Sequence, residues 1–413
     1  MKKMKEFLKE IEMSNKRVKG IIFTRGDYPI GSSALRIRLW NKGFIANQID
    51  SKIVITFPSP SEEDLLNSEK FVYFALKPVK RKTRNVISIF LKIIGILKGY
   101  IYLKKNRDLD FVFLYGIGFL EGYFVKRFCK ISKVKFFAER CDENRQQFCK
   151  KKLSIVDFLA LYNDKLFDKY ILNKTNTFLV VSEYLEKKYR QIYPNHNIKR
   201  SVPSFIDYEQ FQKYQKNDIF SITGRDLSIF KSNKLKIVFA GSCIFTNGLE
   251  FFLECASVSH KRNLDFQIVL IFSKGDVNLI KNLILKLKIE NVVTIIEDIY
   301  YPYIPAIYKH SDILVLPEMG DVVANAGFPG KTAEYLASGK AIITTDFSNL
   351  KDYLKHGYNC MMSSIGDLDK YTENLNRLIL EKSLREHLGQ NAILTAIKYF
   401  DYKKGVLPLV EEL

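Results

Sequence analysis

The chain has 413 residues, and its 65 Lys and Arg outnumber its 45 Asp and Glu, which gives a formal net charge of +20 at pH 7. The length is sufficient for two or three domains, and a hydrophobic fraction of 47% excludes a wholly disordered chain. Part of the excess charge is attributed to an AT-biased genome. The remainder points to nucleic acid, an anionic membrane surface or a phosphorylated substrate as a partner.

The first 20 residues are charged and lack the apolar core and cleavage site of a secretory signal. No uncharged apolar run is long enough to cross a bilayer. The six cysteines show neither CxxC spacing nor a Cys/His ligand pattern, which predicts reduced thiols and no metal site. A cytoplasmic protein is therefore expected. No recognised nucleic-acid motif accompanies the positive charge, so that partner class is not expected.

Short runs rich in Val, Ile and Phe alternate with helical patterns along the whole chain, and ten of them predict strands. Nearly continuous apolar runs are typical of strands buried on both faces, which indicates an α/β protein with parallel sheets and helices on each side. The ten predicted strands are Gly20–Thr24, Phe71–Leu76, Asp110–Gly116, Lys133–Glu139, Thr177–Ser182, Leu235–Gly241, Phe266–Ser273, Asn291–Asp298, Ser311–Pro317 and Ala341–Asp346.

One segment of the first half combines positive charge with an apolar helix. Residues 77–84, KPVKRKTR, carry five basic side chains and precede a helix predicted over Val86–Leu103. Either the helix lies in an anionic membrane interface, or it packs on a sheet with its lysines reaching water. The first alternative predicts a peripheral contact with the inner face of the cell membrane through residues 77–103. The narrow polar stripe of this helix consists of Ser88, Lys92, Gly95, Gly99 and Tyr102.

The alternation of strands and helices stops between Val202 and Asn233, where Pro, Asp, Asn, Gly and Ser accumulate, and it resumes at Leu235. This break divides the chain into two doubly wound, Rossmann-like domains, residues 1–205 and 206–395. Residues 396–413 are too short for a domain and are expected to pack back across the interface. Parallel sheets bind ligands at the carboxyl ends of their strands, so a cleft between two such ends is the expected site.

The densest functional signal is the segment 311–346, in which a buried strand is followed by a loop containing Glu318 and Gly327. A helix is predicted to begin around Pro329–Lys331, because proline is favoured in a first helical turn. Its first amide groups, with Lys331 and Thr332 beside them, suit a phosphate. Glu334, one turn later, suits ribose hydroxyls, although a solvated Lys331–Glu334 pair is the alternative.

A nucleotide-hydrolysing P-loop is excluded for this segment although it contains Gly330-Lys331-Thr332. The P-loop pattern requires glycine at position 325, which is Asn325 here, and the loop contains a proline.

A weaker indication of a ligand site occurs earlier in the chain, where the strand Leu235–Gly241 continues into Ser242 and a helix is predicted near Asn247. In the first half, Gly31, Ser32 and Ser33 follow the first strand and precede an amphipathic helix.

This succession resembles glycosyltransferase family 4, the retaining nucleotide-sugar transferases with the GT-B fold. No single motif is diagnostic, but the order and spacing of the motifs match along nearly the whole chain. The matching segments are Gly31-Ser32-Ser33, FFAERCDE from Phe136, VVSEYL from Val180, VPSFID from Val202, VFAGS from Val238, NGLEFFLECA from Asn247, DILVLP from Asp312, FPGKTAEYLASGKAIITTD from Phe328 and HGYNC from His356.

The resemblance implies that the second domain binds a nucleotide sugar, UDP- or GDP-linked, and that the first binds the acceptor. Glu334 matches the second glutamate of the family's E-x7-E signature, which binds ribose, whereas the first falls on Ala326. Gly327 and Phe328 match a pair whose backbone faces the donor diphosphate and sugar. Members usually place basic residues near Ser242 and Asn247; here Lys331, or less directly Lys274, would supply that charge to the diphosphate.

The resemblance also implies the reaction: retaining transfer of a sugar to a glycan or lipid-linked acceptor, without a metal or other cofactor, in cell-surface polysaccharide synthesis. The family often has a catalytic histidine after a strand of the first domain; Glu139 stands at that place in this chain. We therefore expect Glu139 to face the acceptor or the transferred sugar, with an ion pair to Arg140 or a lysine as the alternative. A non-catalytic sugar-nucleotide-binding partner and a sugar-nucleotide epimerase of the same fold also remain open.

Overall fold

The computed structural model describes residues 17–24, 32–56, 71–73, 86–116, 118–143, 155–243, 248–275, 277–320 and 325–413. Within these ranges, the side chains of residues 32–33, 71–73, 86–89, 155–157, 242–243 and 274–275 are not described. The chain forms two compact units. The first consists of Met1–Phe205 with Tyr402–Leu413, and the second of Ile206–Asp401.

The first unit alternates strands and helices, and the carboxyl-terminal residues add two short helices to it. Its elements are β1 (Lys19–Thr24), α1 (Ser32–Ala46), β2 (Asp50–Ile55), β3 (Phe71–Tyr73), α2 (Val86–Lys105), β4 (Phe111–Tyr115), α3 (Phe119–Ser132), β5 (Lys135–Arg140), α4 (Ile155–Tyr170), β6 (Thr177–Val180), α5 (Glu183–Ile192), β7 (Ile198–Arg200), α13 (Tyr402–Gly405) and α14 (Leu407–Val410).

The strands of the first unit form one sheet in the order β3-β2-β1-β4-β5-β6-β7, and all of their pairings are parallel. Successive side chains of a strand point to opposite faces. Ile22 therefore lies in the core beside α1, whereas Phe23 contacts Gly99 of α2 on the other face. Helices α2 and α3 pack against each other, as do α3 and α4. The right-handed crossovers expected between parallel strands account for one layer of these helices opposite α1.

The core between α1 and the sheet is rich in aromatic side chains. Trp40 is fully buried, and its ring contacts Phe113 at 4.9 Å and Phe205 at 5.1 Å between centroids. Burying a side chain of this size contributes roughly 2–3 kcal/mol. Helix α13 and the residue after it lie close to α1, since a Cβ at Gly43 would be 2.7 Å from the carbonyl oxygen of Tyr402 and 2.4 Å from a methyl group of Val406. The last residues of the chain thus complete the first unit.

The second unit repeats the same alternation. Its elements are α6 (Tyr208–Tyr214), β8 (Leu235–Cys243), α7 (Leu249–Lys261), β9 (Phe266–Gly275), α8 (Val277–Leu287), β10 (Val293–Glu297), α9 (Ile304–Lys309), β11 (Ile313–Leu316), α10 (Thr332–Ser338), β12 (Ala341–Thr345), β13 (Met361–Ser363), α11 (Leu368–Leu380) and α12 (Lys382–Tyr399). Its parallel strands are ordered β10-β9-β8-β11-β12-β13.

Helix α7 begins against the end of β11, and this approach requires glycine. Gly248, its N-cap residue, has φ = 66°, and a Cβ there would lie 1.3 Å from the carbonyl oxygen of Pro317. A side chain at this position is thus excluded both by backbone conformation and by space. The contact fixes the start of α7 beside the loop that follows β11.

The predicted fold class is confirmed: the chain contains two parallel α/β sheets with helices. All ten predicted strands are present, although residues 74–76 of the second lie outside the described residues, and the described part of the chain contains three further strands, β2, β7 and β13, that were not predicted. Strands β7 and β13 have only three residues each, too few for a periodic signal. The second unit extends to Asp401 rather than to residue 395, because α12 continues through Tyr399.

Candidate active site

Helix α10 holds the carboxyl end of β8 through two side chains. The Lys331 Nζ, at the N-cap of α10, donates a hydrogen bond of 3.0 Å to the carbonyl oxygen of Ala240. One turn later the hydroxyl of Tyr335 accepts a hydrogen bond of 3.2 Å from the Ala240 amide. Positions i and i+4 lie on the same face of a helix, so both side chains reach one peptide unit. A Cβ at Gly241 would lie only 2.8 Å from the Lys331 Nζ, so glycine leaves room for the ammonium group.

Lys331 is a half-buried cation with few partners. Besides the bond to Ala240, its Nζ lies 4.2 Å from the ring centroid of Phe239, and these are its hydrogen bond and its ring contact among the described residues. Burial lowers the pKa of Lys331, and the nearby Glu318 and Glu334 carboxylates oppose that effect. An ammonium group carries three donors. The site therefore holds a positive charge whose hydrogen-bonding capacity is only partly used.

Glu334 lies in the first turn of α10 and is buried, with 8% of its surface exposed. Its Oε1 accepts a hydrogen bond of 2.6 Å from the Tyr301 hydroxyl, the one such donor among the described residues. Burial raises the pKa of Glu334 to about 7, and the Tyr301 bond and the Lys331 charge limit this rise. A carboxylate can accept about four hydrogen bonds. Glu334 thus has acceptor capacity left for a ligand.

Tyr301 opens a short 3-10 turn, Tyr301–Tyr303, that precedes α9. Its ring meets Tyr214 of α6 edge to face at 6.3 Å, and the Asn217 side chain donates a 2.8 Å hydrogen bond to the carbonyl oxygen of Pro302. These contacts fix the direction of the Tyr301 hydroxyl. Tyr301 was not predicted as a site residue, because it lies 33 residues before Glu334 and no motif connects the two.

Thr332 is a predicted site residue that the structure leaves unsatisfied. Its side chain is buried, and its Oγ1 has no hydrogen-bond partner among the described residues. Buried hydroxyl groups are nearly always hydrogen-bonded, so this orphaned hydroxyl in the first turn of α10, next to Lys331, is an exception.

The residues before α10 are largely occupied by contacts within the second unit. Gly327 accepts a 2.8 Å hydrogen bond from the Ser348 hydroxyl through its carbonyl oxygen, and the ring of Phe328 packs on Tyr353 and Phe400. The carbonyl oxygen of Pro329 accepts a hydrogen bond from the Thr332 amide in a turn before the helix. The helix itself begins at Thr332 with Lys331 as its N-cap, one residue after the predicted Pro329–Lys331 start.

Ala326, at the position of the absent signature glutamate, is completely buried. Glu318 follows β11 and is half-buried, and its carbonyl oxygen accepts a hydrogen bond from the Thr345 hydroxyl.

Ser242 and Lys274 are paired residues on neighbouring strands β8 and β9, next to a register shift after Gly241. Their side chains, and all of Asn247, lie outside the described residues. The structure thus brings Gly241, Lys331, Thr332 and Glu334 together and leaves Asn247 and the side chains of Ser242 and Lys274 as predictions.

In the first unit, Glu139 is a buried, fully engaged carboxylate near the end of β5, with 1% of its surface exposed. Arg36 of α1 binds it with two nitrogens at 3.0 and 2.5 Å, and the Trp40 indole and Ser201 hydroxyl donate hydrogen bonds of 3.2 and 2.6 Å. The Cys141 Sγ lies 3.6 Å from the Glu139 Oε2. These contacts favour a structural role, and the expected role in catalysis stays a prediction.

The ion pair of Glu139 is therefore made with Arg36, not with Arg140 or a lysine. Burial acts to lower the pKa of Arg36, but the Glu139 charge, Cys141, the hydrogen bond to Glu139 and Tyr115 together outweigh it, and this pKa lies above its ordinary value. Arg140 points to the other face of β5, where it binds Glu143, Asp168 and the Tyr189 hydroxyl. Successive side chains of a strand point to opposite faces of the sheet, so the Glu139 network and the Arg140 network lie on different faces of β5.

Gly31 lies outside the described residues, and Ser32 and Ser33 begin α1 with side chains that are not described. Within the described part of the chain, no helix is long and apolar enough to cross a membrane. The same residues contain no group of three or more His, Cys, Asp or Glu side chains suited to a metal ion.

Most of the second unit matches a known family model. Residues 225–395 match the family model described as Glycosyl transferases group 1. An uncharacterised glycosyltransferase of Methanocaldococcus jannaschii is 22% identical over 269 residues, which are 64% of each chain. The match thus spans less than two thirds of that relative's length.

Two solved structures resemble nearly the whole chain. Sucrose-phosphate synthase from Thermosynechococcus elongatus has a TM-score of 0.69 at 11% identity, over 96% of this chain and 98% of its own. Anabaena HepE, solved with UDP and also with UDP-glucose, has a TM-score of 0.67 for its UDP complex at 12% identity, over 96% of this chain and 99% of its own. The chain therefore has the GT-B fold, and its residues 225–395 carry the sequence pattern of the group 1 glycosyl transferases.

Proposed function

We propose that this protein transfers a sugar from a nucleoside diphosphate sugar to a glycan or lipid-linked acceptor. One observation carries the proposal: Lys331 and Glu334 are opposite charges at the start of one buried helix, and each has unused hydrogen-bonding capacity. Both belong to the segment that matches the group 1 model. A site that binds ribose and diphosphate needs a hydrogen-bond acceptor for the ribose hydroxyls and a cation for the diphosphate.

The chemistry assigned to each residue follows from its contacts. Glu334 would accept hydrogen bonds from ribose hydroxyls, and Lys331 would donate to the diphosphate, with the orphaned Thr332 hydroxyl as a further partner. Departure of the nucleoside diphosphate concentrates negative charge on the β-phosphate. A preorganised ammonium group in a half-buried site stabilises that charge better than water does.

A nucleotide sugar is supported as the donor class, since HepE, with a similar fold, has been solved with UDP and UDP-glucose. For this chain a UDP- or GDP-linked hexose is proposed. The proposal includes retention of configuration and independence of metal ions, with Lys331 supplying the charge. Glu318 and the backbone of Gly327 and Phe328 would face the sugar.

The first unit would bind the acceptor, with Gly31, Ser32 and Ser33 on that side, and the product would contribute to a cell-surface polysaccharide. A lipid-linked acceptor accounts for the basic segment 77–84 and the apolar helix α2 that follows it. The enzyme would accordingly act in the cytoplasm, in peripheral contact with the inner face of the membrane.

A non-catalytic sugar-nucleotide-binding protein is the second candidate. Two observations favour it: Ala326 replaces the first signature glutamate, and Glu139 is saturated by partners within the first unit. A sugar-nucleotide epimerase of the same fold is the third. The identity of the products distinguishes the three candidates.

A panel of UDP-, GDP- and ADP-sugars, tested for thermal stabilisation of the full chain, identifies the donor. Incubating the selected donor with acceptor glycans and analysing products then tests catalysis. Free nucleotide with a new glycoside is the expected result. Stabilisation without turnover would indicate the non-catalytic protein, and a new nucleotide sugar would indicate the epimerase. No stabilisation by any member of the panel would contradict donor binding itself.

A further inference from the structure

Three neighbouring helices of the first unit expose an unusual amount of apolar surface. Of the 24 large hydrophobic side chains that are exposed in the described part of the chain, 12 lie on α2, α3 and α4. These helices make up 50 of the 413 residues, so the exposed residues are concentrated on one region. The 12 residues are Phe90, Ile93, Ile94, Leu97, Ile101, Leu120, Tyr123, Ile131, Phe158, Leu159, Tyr162 and Tyr170.

Helix α2 presents five large apolar side chains outward because its glycines face the protein. A Cβ at Gly95 would lie 1.8 Å from the carbonyl oxygen of Thr56, and one at Gly99 would lie 2.8 Å from the ring of Phe23. The residues that the sequence analysis placed in a polar stripe therefore include the packing edge of the helix. An apolar stripe at helical spacing, Phe90, Ile94, Leu97 and Ile101, remains exposed on another side.

Aromatic contacts make the region continuous across the three helices. Tyr100 of α2 lies 5.0 Å from Phe124 of α3, and Phe119 of α3 lies 6.3 Å from Tyr170 of α4, between ring centroids. On α4, the rings of Phe158 and Tyr162 are parallel at 6.4 Å. Exposed apolar patches of this extent are uncommon on soluble proteins and mark interaction sites.

Among the described side chains of these three helices, the exposed charged residues are all basic. The described carboxylates are directed inward, since Glu121 is buried and Asp164 and Asp168 face Arg140. The surface that these 12 apolar residues and the basic residues of the three helices form is called the three-helix surface below. Its basic residues are Lys92, Lys98, Lys104, Lys105, Lys126, Arg127, Lys130, Lys165 and Lys169.

We propose that the three-helix surface docks onto an anionic lipid bilayer, with α3 and α4 contributing alongside α2. Apolar side chains that enter the headgroup boundary and basic side chains that meet anionic lipids are the two components of interfacial binding. A second copy of the chain does not fit, because two such surfaces would bring like charges together. The inference extends the single-helix contact of the proposed function and does not depend on sugar transfer.

The test measures co-sedimentation of the full chain with phosphatidylcholine vesicles that contain or lack phosphatidylglycerol. The wild-type chain is expected to bind the anionic vesicles and to be released by salt. Two double variants of α4, Phe158→Ser with Tyr162→Ser and Lys165→Glu with Lys169→Glu, are each expected to reduce partitioning about tenfold. All four side chains are exposed, so the thermal midpoint should not change.

A matched control replaces two equally exposed leucines of the second unit, Leu285→Ser and Leu394→Ser, and should bind vesicles like the wild type. Equal binding to neutral vesicles, or no binding, would overturn the proposal. Unchanged binding by both α4 variants would also overturn it, and so would a dimer that these variants dissociate. Thermal stabilisation by a nucleotide sugar should be the same in every variant, which separates failure of this surface from failure of the donor site.

Discussion

Two buried glutamates, one in each unit, lie at the carboxyl side of parallel strands and have opposite environments. Glu139 accepts hydrogen bonds from Arg36, Trp40 and Ser201, so both of its oxygens are occupied. Glu334 has one hydrogen-bond donor among the described residues, Tyr301, and its pKa is raised to about 7 by burial. Similar α/β architecture thus surrounds one carboxylate with partners and leaves the other with unused capacity.

The difference in hydrogen-bond partners indicates which glutamate is available to bind a ligand. A buried charge with a complete set of partners stabilises the fold and has little to offer a substrate. A buried charge with too few hydrogen-bond partners lowers the stability of the free protein. A ligand that supplies the missing partners restores that free energy on binding. Each of the four following substitutions tests one side of this contrast.

Glu139→Gln is expected to cause the largest loss, about 3–5 kcal/mol of unfolding free energy, because it leaves the Arg36 charge buried without its partner. Chemical denaturation measures this loss. The control Glu183→Gln removes an exposed pair with Lys187 and should change stability by less than about 1 kcal/mol. A Glu139→Gln protein that is as stable as wild type, binds donor and fails only in transfer would instead establish the catalytic role predicted from the sequence.

Glu334→Gln should change how stability depends on pH. The folded pKa of about 7 lies above the ordinary 4.5, so the unfolded chain ionises first and stability falls as pH rises from 4.5 through 7. Between pH 4.5 and 8 this loss is about 3 kcal/mol, and the glutamine variant should lack it. Denaturation at several pH values measures the difference. The exposed Glu290→Gln should retain the wild-type profile, and a Glu334→Gln protein with that same profile would contradict the assignment.

Lys331→Met is expected to lower donor affinity while leaving the free protein at least as stable as wild type. Loss of a charge-assisted hydrogen bond to phosphate corresponds to roughly 1.5–3 kcal/mol, about a tenfold to hundredfold rise in Kd. Calorimetric titration with the donor identified in the panel measures this. Lys340→Met, another lysine whose pKa is lowered by burial, lies past the other end of α10 and serves as control. Unchanged donor affinity in Lys331→Met would leave the diphosphate without its proposed cation.

The fold could be predicted largely from the sequence because buried parallel strands are continuous apolar runs. Strand β4, FVFLY, is buried along its whole length and was predicted within one residue at each end. Strand β2, DSKIVI, was missed, because polar residues occupy its first half. The exposure of α2 could not be predicted either, since periodicity does not reveal that Gly95 and Gly99, rather than the apolar side chains, make the packing contact.

The candidate site was predicted where its residues are close in sequence and missed where they are distant. Lys331, Thr332 and Glu334 belong to one helix start, so their proximity follows from helical geometry. Arg36 and Tyr301 reach their glutamates across 103 and 33 residues, respectively, and such separations depend on tertiary packing. Tyr301 is the partner that a sequence pattern could not have supplied, and its contribution can be measured separately.

Tyr301→Phe should produce the smallest effect, because it removes one hydroxyl group and keeps the ring that packs on Tyr214. The lost hydrogen bond lowers the pKa of Glu334 in the wild type, so this pKa should rise in the variant. A larger fraction of the carboxyl group is then protonated near neutral pH. Donor affinity should fall about fivefold at pH 7, as expected for loss of roughly 1 kcal/mol, and should recover towards pH 9.

Titrating the donor at several pH values separates this electrostatic effect from a structural one. Tyr300→Phe, a change of the exposed neighbouring tyrosine, should leave both affinity and its pH dependence as in the wild type. A loss of affinity in Tyr301→Phe that is equal at all pH values would mean that the hydroxyl acts by shaping the site, not by setting the charge of Glu334. A Tyr301→Phe protein that binds donor more tightly would mean that Tyr301 occupies the position of a ribose hydroxyl and must leave before the donor enters.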